Sequence, residues 1–127
     1  MWYIEMESSR TPDDIAARIA EEAPKNAMRV LHVHDVTATL AEKGFDLVPY
    51  RIVELCGAKF AKSSLDQDLR VGLMMPCRVS VFVEDGVTHL ATVKPTELMN
   101  FFPGKNLEEF GTEVEAILEK IMRTAAS

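Results

Sequence analysis

Both cysteines and all three histidines of this chain fall in stretches that alternate as strands do, and they define the chemistry open to it. Cys56 closes the triplet Glu54-Leu55-Cys56, and Cys77 precedes a guanidinium in Met75-Pro76-Cys77-Arg78-Val79-Ser80-Val81. A thiol with an arginine at hand suits thiolate chemistry, because a nearby cation favours the ionised sulfur. His32 and His34, one residue apart, suit metal ligation or proton transfer. Successive strand side chains point to opposite faces, so His32, His34, Glu54, Cys56, Arg78, Ser80 and His89 are expected on one face of a sheet. That set is the candidate ligand-binding site, with Cys56 and Arg78 as its catalytic candidates.

Each residue also has a plainer reading. A His-x-His strand is commonly the polar side of an edge or interface strand. His89 lies across from Phe82 if the hairpin register below is right, and then serves as a packing pair. Glu54 beside Cys56 raises the thiol pKa by repulsion unless Arg78 lies closer. Cys77 shares a face with Val79 and Val81 and behaves as a small buried hydrophobe. For Cys56 the structural and functional readings both stay open. The paired acids Asp13-Asp14, Glu21-Glu22 and Glu108-Glu109 belong to helix ends or solvated faces. No phosphate loop, dinucleotide fingerprint, zinc-protease helix, nucleophile elbow or CxxC pair is present.

The elements that must hold these groups follow from local pattern. Trp2 to Glu7 alternates, with Trp2, Ile4 and Met6 on the apolar side. Thr11-Pro12-Asp13-Asp14 opens a helix with a hydroxyl cap, a proline in the first turn and two acids at the positive end of the dipole. Its stripe is Ile15, Ile19, Ala16, Ala20 and Ala23, and Pro24 limits it. Met28 to His34 is a strand, Asp35 caps a short helix through Leu40, and Gly44 ends that helix. A third strand is expected from about Leu47 to Cys56, bent near Pro49, and Ala58 to Leu65 reads as helix. Leu69 to Met75 is apolar without a period. Cys77 to Val93 is a hairpin about Asp85-Gly86, a pair favoured in type I′ turns. This pairs Val83 with Thr88 and Val81 with Leu90 on one face, and sets Phe82 beside His89 on the other. A short helix follows Pro95 and ends by Pro103-Gly104. Asn106 with Glu109 resembles a capping box for a last helix with stripe Leu107, Phe110, Val114, Ile117, Leu118 and Ile121. The result is an α+β fold, a mainly antiparallel sheet with helices packed on one face.

The chain has 127 residues, 47% of them hydrophobic and 27% charged, which fits one globular domain spanning residues 1–127. Its 14 basic and 20 acidic side chains give a net charge of −6. An acidic surface without a basic cluster repels phosphate backbones, so nucleic acid is not an expected partner. No run nears the ~18 apolar residues of a membrane span, and no secretory leader is visible, so a cytoplasmic protein with free thiols is expected and no membrane partner.

The chain resembles the bacterial and archaeal family called domain of unknown function 302. The resemblance rests on Val33-His34-Asp35-Val36 with Leu40 and Gly44-Phe45, and on Val53-Glu54-Leu55-Cys56 with Ala61 and Leu65. It closes with Met75-Pro76-Cys77-Arg78-Val79-Ser80-Val81, Asp85-Gly86 and Pro95. It covers roughly Met1 to Leu98, and the chain departs from it at Gly57-Ala58, where the family commonly has Asn-Pro. The resemblance implies a fold like that of the TATA-binding protein and a homodimer, and it implies no reaction and no cofactor.

Three function classes follow. The first is a small-ligand or metal-binding accessory protein that uses the polar sheet face or a dimer cleft. The second is a thiol-dependent redox or sulfur-transfer protein acting through Cys56, with Cys77 as resolving partner and Arg78 stabilising the thiolate. The third is a structural dimerisation module. Ligand, metal and cofactor identity, and whether the chain is an enzyme, stay open on the sequence.

Overall fold

The structure, a computed structural model, describes residues 1–127. The elements run β1 (Tyr3–Ser8), α1 (Pro12–Glu22), a 3₁₀ turn (Ala23–Asn26), β2 (Arg29–Asp35), α2 (Val36–Ala41) and β3 (Tyr50–Cys56). They continue with α3 (Ala58–Gln67), a 3₁₀ segment (Leu69–Met74), β4 (Cys77–Glu84), β5 (Val87–Val93), α4 (Pro95–Met99) and α5 (Glu108–Ala126). The five strands form one antiparallel sheet in the order β1-β5-β4-β3-β2. The α+β reading holds.

Alternation drives the layering. Val53, Leu55, Val79, Val81 and Leu90 point to one face and are fully buried beneath Ile15 and Ile19 of α1 and Leu118, Ile121 and Met122 of α5. Truncating any of the leucines, isoleucines or the methionine among these to alanine should cost about 2–5 kcal/mol, and the shorter valines less. The β4–β5 register matches the hairpin reading: Val83 pairs with Thr88, Val81 with Leu90 and Phe82 with His89. Asp85 and Gly86 take φ of 51° and 78°, as that turn requires.

Local chemistry sets the helix ends. The Thr11 hydroxyl accepts from the Asp14 N–H, and the Asp35 carboxylate accepts from the Ala38 N–H. Three side chains finish the opposite end of the core. Arg18 donates to the carbonyls of Thr124 and Ala125, Ser8 to that of Ala126, and Arg10 to that of Ser127, satisfying the last turn of α5.

The structure corrects several local expectations. β3 begins at Tyr50 and not Leu47. Pro49 has no N–H to give a ladder, and its carbonyl only accepts from the Val83 N–H. Ala20 is exposed, because the stripe of α1 turns through Ala16, Ile19 and Ala23. Asn106 caps nothing: α5 starts at Glu108 with Leu107 at the cap position. Burial of Leu107 against Val71 and Met99 sets that boundary ahead of a polar cap. The apolar side of β2 is only partly covered: Val30 packs against the core, while Leu31 and Val33 stay 47% and 37% exposed.

Candidate functional site

The face of the sheet away from α1 and α5 carries the residues expected there. Cross-strand pairs place His32 beside Glu54, Glu54 beside Arg78, Ser80 beside Ala91, and Ala91 beside Glu5. A register shift in β2 between Val30 and His32 leaves the two histidines on this face. The seven candidates share one face but divide into three groups.

His34, Glu54 and His32 form the first, at the β2 edge. His34 Nε2 contacts Glu54 Oε1, and the two imidazoles meet edge to face with centroids 4.4 Å apart. The Glu54 carboxyl is held below its usual pKa, chiefly by the hydrogen bond from His34 and then by the charges of His34, Arg78 and His32, with burial opposing. No three His, Cys, Asp or Glu side chains converge in this chain as metal ligands would.

The second group is a ladder of rings. Tyr50 stacks on Phe82 at 5.3 Å, and Phe82 stacks on His89 at 5.5 Å, with planes within 11° and 9° of parallel. His89 Nδ1 meets Glu5 Oε2 at 3.1 Å, so the ladder crosses four strands. His89 is 8% exposed and stacks on Phe82, as the packing reading of this residue expects.

Cys56, Arg78 and Ser80 make the third group, and they line a cavity of about 580 Å³. Small-molecule sites commonly measure some 300–1,000 Å³ and are mostly apolar. Here 20 of the 27 lining residues are hydrophobic. The cavity lies where β3 ends and β4 begins. Tyr3, Tyr50, Phe82 and Ala91 line it on the open sheet face, while Phe60, Phe110 and Leu118 line it from the helix layer. The segment Leu73–Pro76, with a cis bond between Met75 and Pro76, forms another wall, and Trp2, 61% exposed, stands at the rim.

Two polar groups in this cavity have nothing to bind within the protein. Arg78 makes no ion pair, since its cross-strand neighbour Glu54 is turned to His34. The Ser80 hydroxyl, half-buried two residues along the same strand face, makes no hydrogen bond. The neighbouring Thr92 hydroxyl is occupied, donating to the Arg78 carbonyl at 2.7 Å.

The thiols are placed for packing more than for reaction. Burial raises the Cys56 pKa, so the cause is desolvation and not the repulsion by Glu54 expected from the sequence. Burial, with Cys56 nearby, pushes Cys77 up to about 11, and Arg78 opposes this only in part. Both cysteines are free thiols.

The apolar wall was missed by sequence reasoning. Its signal was present: Tyr3, Tyr50, Phe82 and Ala91 occupy strand positions on the side read as polar. Gly57 contributes at the cavity too. A Cβ there would lie 2.6 Å from the Ala27 carbonyl, so the chain can pass closely from β3 into α3 only with glycine.

Comparison with known proteins agrees with this frame. A crystal structure of an uncharacterized conserved protein DUF302 from Bacillus stearothermophilus superposes with a TM-score of 0.93 at 28% sequence identity. The match covers 100% of this chain and 99% of that one. No curated protein sequence matches the chain. The family model described as Domain of unknown function DUF302 matches residues 4–125, and this chain belongs to that family.

Proposed function

We propose that this protein is a small-molecule-binding accessory protein whose site is the cavity at the β3–β4 end of the sheet. The observation that carries the reading is the 580 Å³ of mostly apolar space that opens onto two otherwise uncommitted polar side chains, Arg78 and Ser80, beside the Cys56 thiol. A thiol mechanism fits less well, because burial holds both sulfurs protonated at neutral pH. Metal binding fits less well too, because His34 and His89 each face a carboxylate and no three donor side chains converge.

We propose in addition that the protein is a homodimer. Leu31 and Val33 on the β2 edge, with Phe45, Leu47 and Val48 in the loop after α2, are exposed apolar side chains that a second copy would cover.

One experiment addresses both statements: native mass spectrometry of the protein as isolated, followed by titration with the amphipathic fluorophore anilinonaphthalene sulfonate. The expected result is a dimer that binds one fluorophore per subunit, with affinity weakened about tenfold or more in Ala91→Phe, which places a ring inside the cavity. A folded wild type that shows neither a bound molecule nor saturable fluorophore binding would overturn the ligand reading. A monomer mass at micromolar concentration would overturn the dimer.

A further inference from the structure

We infer that the cavity takes an amphipathic monoanion, with an apolar body in the cavity and a carboxylate held by Arg78 and Ser80. This inference rests on the ligand-binding reading above and specifies its chemistry. The apolar lining favours a hydrocarbon or aromatic body, because burying it removes apolar surface from water. The lining alone does not choose a head group. The charges on the open sheet face do.

That face carries two carboxylates, Glu5 and Glu54, and each already contacts an imidazole instead of Arg78. Glu54 is held by His34, and Glu5 by His89 at 3.1 Å. Arg78, with its side chain exposed, is the one cation lining the cavity, and no carboxylate lies within ion-pair distance of it. A guanidinium is a planar fork that binds a carboxylate through two parallel hydrogen bonds. Ser80 lies two residues further along β4 on the same face, about 7 Å away, and offers a neutral donor toward the cavity interior. One guanidinium neutralises one charge. The net charge of −6 then disfavours a dianion such as a phosphate monoester, while a single bound carboxylate feels its partner at contact distance. Long-range repulsion fades over a Debye length of about 8 Å at physiological salt.

The test uses three probes of equal chain length, decanoate, decanol and decylamine, titrated against the intact protein by calorimetry. Decanoate is expected to bind more tightly than decanol, and decylamine most weakly. Arg78→Gln should weaken decanoate about tenfold or more and leave decanol unchanged, since a charge-assisted contact is lost and the apolar one kept. Arg78→Lys should keep part of the preference, which separates charge from any loss of packing. Thermal unfolding of both variants near the wild-type midpoint shows that the sheet is intact. If decanol and decanoate bind alike in wild type and in Arg78→Gln, the head-group assignment falls and the cavity reading stands. A preference for decylamine has the same consequence. If none of the three probes binds to folded wild type, both readings fall.

Discussion

At the scale of single residues, the sheet face is governed by which charges are already matched. Glu54 and Glu5 each have a histidine, and the two cysteines are desolvated. This leaves one guanidinium and one hydroxyl for any occupant. Cys77 gives the clearest titration. Its thiol has a folded-state pKa of about 11 against an ordinary 9.0, so the fold favours the protonated form. That contribution is fully present below pH 9 and is lost as pH rises towards 11. Because Cys77 is only partly buried, a loss of about 2 kcal/mol is a fair upper figure. Denaturant unfolding at pH 8 and pH 11 should therefore show wild type losing more stability than Cys77→Ala. Equal losses in the two proteins would show that the thiol is solvated. Much of this was legible from sequence. Period-two alternation placed all seven candidates on the correct face and Cys77 on the other. Desolvation of Cys56 was not legible, because it comes from the cavity wall and not from its neighbours in the chain.

At the scale of elements, strands and the hairpin were the most readable parts, since Asp85-Gly86 and alternation are local signals. Boundaries set by distant packing were not. The Asn106/Glu109 pattern offered a good cap, yet α5 begins where Leu107 can be buried against Val71 and Met99. The same region shows how closely α4 and α5 are joined. A Cβ at Gly111 would lie 2.9 Å from Met99 Cγ and 3.3 Å from the Pro95 carbonyl. Glu115 of α5 also accepts from both the Thr96 N–H and the Thr96 hydroxyl, which satisfies the start of α4. Ordinarily Gly→Ala within a helix stabilises by up to about 1 kcal/mol. Here the contact with the Pro95 backbone reverses the sign. Gly111→Ala should destabilise by about 1–3 kcal/mol and detach α4 from α5, read as faster amide exchange over residues 96–99. A variant more stable than wild type would show that the two helices separate at little cost.

At the scale of the whole molecule, one sheet is covered on one side by α1 and α5, and no helix is long and apolar enough to cross a membrane. The membership of residues 4–125 in the family fits the likeness over 100% of the chain to the Bacillus stearothermophilus protein. The resemblance carried by the cysteine segments therefore pointed to the right family. It could not point to the cavity. That space arises where Leu69–Met74, a segment without periodicity, folds as a 3₁₀ run against residues from both layers.

The position of that space, at the seam between sheet and helices, has a mechanical consequence. Unfilled volume closed to water disappears on unfolding, so hydrostatic pressure favours the unfolded chain in proportion to it. Here the space opens at its rim beside Trp2, so only the part walled by Phe60, Phe110 and Leu118 is expected to contribute such volume. An occupant would stiffen the same seam. Tryptophan emission from Trp2 under pressure, with and without decanoate, should show the unfolding midpoint moving to higher pressure when the acid is bound. An unmoved midpoint would mean that decanoate does not bind the folded protein, since any ligand of the native state alone raises its resistance to unfolding.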